Sequence, residues 1–219
     1  MLEIILENAG KQYNEDWIFN NLTHTFLSGT ATVILGSNGS GKSTLLQVVS
    51  SAIMPTSGSI AYIMKGNPVR PEHAFRQMAI SAPYIELIEE FTMTEMICFH
   101  RRLKPLVRNM TTQELIKICQ LEKNADKPLK YFSSGMKQRL KLALAIMSET
   151  NVLLLDEPAT NLDKAGIEWY NDLVRKNMNN RLVVVSSNSV DEEFGFCTAQ
   201  IRMEDYKKAP AIELSAFQY

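Results

Sequence analysis

The sequence has little of what marks an extracellular, membrane-spanning or nucleic-acid-binding chain. Its three cysteines, Cys98, Cys119 and Cys197, stand far apart in 219 residues. An odd, scattered set is neither a disulfide framework nor a metal-ligand cluster, and reads as reduced thiols packed inside a cytoplasmic protein. Positive charge is not in excess: 23 Lys and Arg against 24 Asp and Glu give a net charge of −1, with a pI near 6.3. Nucleic acid is therefore not expected as a partner. No apolar run approaches the ~18 residues a membrane span needs. The first ten residues, MLEIILENAG, carry Glu3 and Glu7 and no basic segment, so no signal peptide is expected there. No Gly/Ser or Pro-rich linker, repeat or low-complexity tract divides the chain, which suits one large domain or a domain with a substantial insert.

What is present supports a folded enzyme-sized unit. Hydrophobic residues make up 45% and charged residues 21%, enough for a core and a soluble surface. The one dense basic run, HRRLKPLVR at 100–108, reads as a solvated helix face, with lipid headgroups as the alternative contact. LEIILEN alternates apolar and acidic residues, as a half-buried strand does, and residues 17–26, 30–35 and 60–64 read as further strands. NVLLLDE at 151–157 and RLVVVSS at 181–187 are continuously apolar, the pattern of strands covered on both faces. A helical stretch at 165–178 lies between them, which is the βαβ rhythm of an α/β domain. Residues 84–150 differ, with helical periods at 94–103, 112–119 and 136–147 and no obvious strand. The spacing predicts a helical insert that leaves an α/β core after Pro83 and returns at Asn151, so the core is 1–83 plus 151–219.

Two segments have the form of anion-holding helix starts. The first is GSNGSGKS, with Gly36, Ser37, Asn38, Gly39, Ser40, Gly41, Lys42 and Ser43 in order and Thr44 behind them. It fills G-x-x-x-x-G-K-[ST] between an apolar strand and an apolar helix. Its glycines let backbone N–H groups wrap phosphates, Lys42 reaches the β- and γ-phosphates, and Ser43 ligates Mg²⁺. Asp156, at the carboxyl edge of the strand VLLLD, can hold the same Mg²⁺. Glu157 follows it and can polarise an attacking water as general base. The second helix start is YFSSGMKQRL, where Ser133, Ser134 and Gly135 offer a hydroxyl, backbone N–H groups and a helix dipole. By itself Ser133 is an ordinary N-cap.

The order GSNGSGKS, SSGMKQR, LLLDEP, NLD resembles the ATPase subunit of ABC (ATP-binding cassette) transporters over nearly the whole chain, from Tyr13 to about Asn188. The resemblance implies a P-loop NTPase core with a parallel sheet, an N-terminal antiparallel β-subdomain and a helical insert that carries the signature sequence. It also implies ATP and Mg²⁺ as cofactors. Two subunits of this family pack head to tail, so that Ser133, Ser134 and Gly135 of one cap the γ-phosphate held by residues 36–43 of the other. That gives each helix start its own task. The partner is then a second copy or a related ATPase subunit, together with an integral-membrane transporter subunit. The chain itself would sit on the cytoplasmic face of the membrane through that subunit. Tyr13 falls where the family places an aromatic ring against adenine, with Trp17 as a nearby rival. Asp163, in ATNLD, matches the loop that communicates across the dimer.

The chain departs from the family pattern at three places, one of them the signature, where Phe132-Ser133-Ser134-Gly135-Met136 stands for the commoner Leu-Ser-Gly-Gly-Gln while Ser133 and Gly135 are kept. Pro83 occupies the position of a Gln that binds metal and senses the γ-phosphate; Glu86 is either a substitute that reaches in or, as expected, an exposed glutamate. Asn188 stands where a catalytic His usually touches the γ-phosphate, and all three histidines precede Asp156. Asn offers a neutral donor in place of one that becomes charge-assisted. A slow ATPase that energises a separate membrane protein is the expected function. The alternatives are an ABC ATPase acting on a soluble assembly and an ATP-driven dimer switch with negligible hydrolysis. PYIELIEEF, at the entrance of the insert, is either a groove for a partner helix, through Tyr84, Ile85, Leu87, Ile88 and Phe91, or an apolar anchor to the core.

Overall fold

The structure, a computed structural model, describes residues 1–188 and 191–207. Two long strands, β1 (Leu2–Tyr13) and β2 (Asp16–Leu27), form an antiparallel hairpin. In β1 the apolar set Leu2, Ile4 and Leu6 is fully buried and Glu7 is exposed, as the alternation requires. After β3 (Ala31–Leu35) and α1 (Lys42–Val49), β4 (Ser57–Met64) returns to pair with β1, and the short β5 (Asn67–Val69) completes a sheet of order β2-β1-β4-β5. One turn of helix, α2 (Pro71–Ala74), leads to β6 (Met78–Ser81).

Residues 84–150 carry α3 (Met93–Leu103), α4 (Thr112–Cys119) and α5 (Ser134–Ile146). Each of the first two starts on a reciprocal cap. Thr92 and Glu95 hold each other's backbone N–H, and Thr111 and Glu114 do the same. Among the described residues this segment contains no named strand, only the isolated bridges Thr92–Pro128 and Leu106–Ser148. Then come β7 (Val152–Asp156), α6 (Lys164–Asn177), β8 (Leu182–Ser187) and β9 (Ala199–Arg202). Residues 208–219, expected to belong to the α/β core, lie outside the described residues.

The second sheet has the order β6-β7-β8-β3-β9 and is parallel throughout. Its centre divides two hydrophobic cores by the two-residue period of a strand. Leu153 and Leu155 of β7, with Val183 and Val185 of β8, pack among residues of α3, α4, α5 and α6. Val152 and Leu154, with Leu182 and Val184, face α1 and the β1–β2 hairpin. Burial on both faces explains why these strands read as unbroken apolar runs. β5 and β9 leave no strand pattern in the sequence, because they are short, border their sheets and carry few apolar residues.

Candidate nucleotide site

Sheet register brings the candidate residues to one edge. Leu35 pairs with Ser187, Ser186 with Asp156, and Ser81 with Leu155. The segments that follow β3, β6, β7 and β8 therefore leave side by side at the carboxyl edge, where parallel sheets take ligands. These segments begin at Gly36, Ala82, Glu157 and Asn188.

Gly41, at the N-cap of α1, has φ +102, a conformation natural to glycine. A Cβ there would lie 2.6 Å from Ile18 Cγ2 on β2. The hairpin thus presses on the loop, and only glycine lets the loop turn into α1. Lys42 is buried; its ammonium donates to Gly36 O at 2.8 Å, to Ser37 O at 3.0 Å and to Asn188 Oδ1. Burial lowers its pKa, while the nearby carboxylates of Glu157, Asp156, Glu204 and Glu193 oppose the shift. A cleft of about 190 Å³ opens between residues 38–44, Ile18 and Glu157.

Asp156 is 1% exposed. One of its oxygens accepts from Ser186 Oγ, while Oδ2 has no partner among the described residues. The buried hydroxyl of Ser40 in the loop is likewise without a partner among the described residues. Glu157 has φ +46, a costly conformation for a non-glycine residue of the kind that clusters at functional sites. Its Oε1 accepts from Asn188 Nδ2 at 2.8 Å. Asn188 thereby joins Lys42 to Glu157.

The second helix start is built differently. Ser133 and Ser134 are exposed, and Ser133 Oγ caps α5 by accepting from Met136 N at 3.2 Å. Among the described residues no hydrogen bond from Ser133, Ser134 or Gly135 reaches residues 36–43. A Cβ on Gly135 would lie 2.9 Å from Asn161 O, so the segment after Glu157 runs hard against the first turn of α5. Gln138 Nε2 donates to Pro158 O at 2.9 Å on the same face. Asp163 caps α6 through Gly166 N at 2.7 Å and lies 3.9 Å from Arg139. Tyr13 is exposed near the tip of the β1–β2 hairpin, under the Lys11 ammonium, whereas Trp17 covers Gly10 of β1.

Of the residues at the insert's entrance, Leu87 and Phe91 pack against the helical core, and Tyr84 and Ile88 are exposed. Tyr84 follows Pro83 at the exit of β6, and although 46% of the residue is exposed its phenol is partly enclosed, so desolvation and then the Asp156 charge raise its pKa. Three contributors to the site stand outside the sequence motifs. They are Ile18, Ser186 and Glu193, whose buried carboxylate accepts from Ala159 N at 3.0 Å and from Ser187 Oγ. Only Ser186 gave a signal, as a hydroxyl closing an apolar strand.

The model of the ABC transporter family matches residues 19–160. The uncharacterized ABC transporter ATP-binding protein YybJ of Bacillus subtilis (strain 168) is 28% identical over 205 residues, which is 93% of this chain and 92% of that protein. A putative ABC transporter ATP-binding protein from Pyrococcus furiosus has the same fold, with a TM-score of 0.78 at 19% identity over 94% of this chain and 100% of that one. A dimeric ATP-binding cassette in a post-hydrolysis state, bound to ADP and Pi, superposes with a TM-score of 0.74 at 22% identity over 91% of this chain and 93% of the other. With the phosphate loop, the carboxylate pair and the signature helix in family order on this fold, the chain belongs to the ABC transporter family as an ATP-binding cassette ATPase.

Proposed function

We propose that this chain binds and hydrolyses ATP to energise a separate integral-membrane transporter subunit, and that ATP drives two copies, or one copy and a related subunit, into a head-to-tail dimer. The observation that carries the reading is Asp156, a buried carboxylate with an oxygen that has no partner among the described residues, at the edge where the loop, Glu157 and Asn188 meet. Such an oxygen is costly unless a ligand completes it. The donor set fits Mg²⁺, with the Ser43 hydroxyl and Asp156 as protein ligands. Among the described residues no group of three or more His, Cys, Asp or Glu could hold a metal. Few protein ligands suit an ion that keeps waters and substrate phosphates in its shell. When bound, Mg²⁺ neutralises charge on the transferring phosphoryl group.

The chain's own residues supply the rest. Backbone N–H groups of residues 36–43 and the Lys42 ammonium hold the phosphates, and Tyr13 stacks on the base. Glu157 takes a proton from the attacking water. Asn188 fixes Glu157 relative to Lys42. Ser133, Ser134 and Gly135 of the second copy cap the γ-phosphate, and the loop ending in Asp163 meets its counterpart across the two-fold axis. No helix among the described residues is long and apolar enough to cross a membrane. The spanning part is the partner's, and the exposed Tyr84 and Ile88 lie on the docking face at the cytoplasmic side of the membrane.

The test is sedimentation of Glu157→Gln with Mg-ATP, beside phosphate release by the wild type. An ATP-dependent dimer, lost with ADP or in Ser133→Arg, and turnover above that of Glu157→Gln are expected. A monomer under all conditions would overturn the reading. Mild-detergent pull-down then identifies the membrane subunit. One observation favours a second reading, a dimer switch that barely hydrolyses. Asn188 replaces the customary His, and Pro83 has no metal-binding side chain. Dimerisation without turnover above Glu157→Gln would establish that alternative.

A further inference from the structure

Glu193 belongs to no motif, yet it is 3% exposed beside the site. Its neighbours in the same short turn, Asp191 and Glu192, are exposed. Among the described residues it has no ion-pair partner. Burial raises its pKa, bonds from Ser187 and Ala159 act against the shift, and the charges of Glu157 and Asp156 add to it. An apolar side chain would fill this space without the desolvation cost of a carboxylate. A carboxylate does one thing an apolar group cannot: it accepts two hydrogen bonds from two segments at once.

Those two segments are informative. Oε1 accepts from Ala159 N at 3.0 Å, two residues after Glu157, and Oε2 accepts from Ser187 Oγ, one residue before Asn188. Glu157 and Asn188 are themselves joined side chain to side chain at 2.8 Å. The result is a closed ring: Glu157 to Asn188, along the chain to Ser187, across to Glu193, to Ala159 and back along the chain to Glu157. The turn that carries Glu193 is anchored in turn by α6, through Tyr170 Oη to Glu193 O at 2.9 Å and Asn171 Nδ2 to Glu192 O at 2.7 Å.

We propose that Glu193 is a positioning residue for ATP hydrolysis, whose carboxylate ties the segment after Glu157 to the end of β8 and so holds Glu157 and Asn188 in working register. It acts through those two residues and does not touch the nucleotide. The role matters because Glu157 sits at φ +46, a conformation that persists only where the surroundings hold it. This inference rests on the hydrolytic reading above.

The experiment compares wild type, Glu193→Ala, Glu193→Gln and Ser187→Ala by steady-state ATP turnover, ATP affinity and amide hydrogen exchange of the peptide covering 157–162. Glu193→Ala lowers kcat by about 10- to 100-fold, the scale of a misplaced catalytic group, with KM and affinity within ~3-fold of wild type. Exchange of 157–162 rises in that variant, and that of α1 does not. Glu193→Gln, whose amide oxygen still accepts from Ala159 N, restores kcat to within ~3-fold and restores the protection. Wild-type kcat and exchange in Glu193→Ala would overturn the proposal. So would a Glu193→Gln variant as impaired as Glu193→Ala, because charge rather than anchoring would then be at work. If Glu193→Ala does not fold, Glu193→Gln and Ser187→Ala decide, with near-wild-type turnover expected in the first and accelerated exchange of 157–162 in the second. A wild type with no turnover above Glu157→Gln would refute the hydrolytic reading instead, and the exchange data alone would still show whether Glu193 anchors the segment.

Discussion

Asn188 bridges Lys42 and Glu157: its carbonyl oxygen accepts from the Lys42 ammonium, and its amide nitrogen donates to Glu157 Oε1 at 2.8 Å. A side chain that is both donor and acceptor is needed to span a cation and an anion in this way, and Asn meets the need without changing charge.

That bridge sets the expected behaviour at position 188. Asn188→Ala lowers turnover by about 10²-fold, the scale of losing a placed donor near developing charge, while ATP still binds. Asn188→Asp turns a carboxylate toward Glu157 and lowers turnover at least as far. Asn188→His equals or exceeds the wild type. Phosphate-release kinetics with Mg-ATP check all three, and a large drop in Asn188→His would contradict the assignment.

Gly41→Ala places a Cβ 2.6 Å from Ile18 Cγ2 at φ +102. The loop must shift, at a strain of about 1–2 kcal/mol. ATP affinity is expected to fall at least ~10-fold, because the wrapped N–H groups lose their common centre. Isothermal calorimetry reads the affinity, and a Gly41→Ala, Ile18→Ala double variant recovers part of it.

The first turn of α5 and the segment after Glu157 are tied at two points, by the close approach of Gly135 to Asn161 O and by the Gln138–Pro158 bond. Gln138→Leu leaves a buried carbonyl without its donor, at about 1–3 kcal/mol. In a chain of this size that lowers Tm by roughly 2–4 °C per kcal/mol. Turnover falls with it, since that segment follows directly on Glu157. Thermal melts and kinetics on one preparation test both effects.

The His100 imidazole bonds Ser148 Oγ at 2.8 Å, and its pKa is lowered from 6.5 to about 4, first by burial and then by the Lys104 charge. A lowered folded-state pKa means that unfolding takes up a proton at mildly acid pH. The stability tied to neutral His100 is therefore complete above pH 6.5 and is lost as pH falls toward 4. Between pH 7 and 4.5 the wild type should lose about 2 kcal/mol more than His100→Gln, as read from melting curves at matched ionic strength.

Local sequence was enough for most of the elements. A strand buried on both faces must be apolar throughout, so NVLLLDE and RLVVVSS announced β7 and β8 and the layers on either side. The helix starts expected at 94, 112 and 136 fall at 93, 112 and 134, because periodicity is local chemistry. β9 and β5 were not legible in this way, since a four-residue or three-residue strand is decided by the neighbour it pairs with. The DEE run at 191–193 reads as solvent-facing charge, and nothing local sets Glu193 apart from Asp191 and Glu192.

By itself the sequence determined the chemistry available: a glycine loop with Lys42, an acid pair at a strand end, and a serine-capped helix, in the order of one family. It did so because each motif is a short run whose residues act through backbone geometry and charge close at hand. Tertiary structure alone decided which distant groups meet. The strand order placed Asn188 between Lys42 and Glu157, set Ile18 against Gly41, and turned Glu193 inward onto Ala159 and Ser187. Such contacts join residues far apart in the chain, and their positions are fixed by sheet register and packing rather than by any neighbour in sequence.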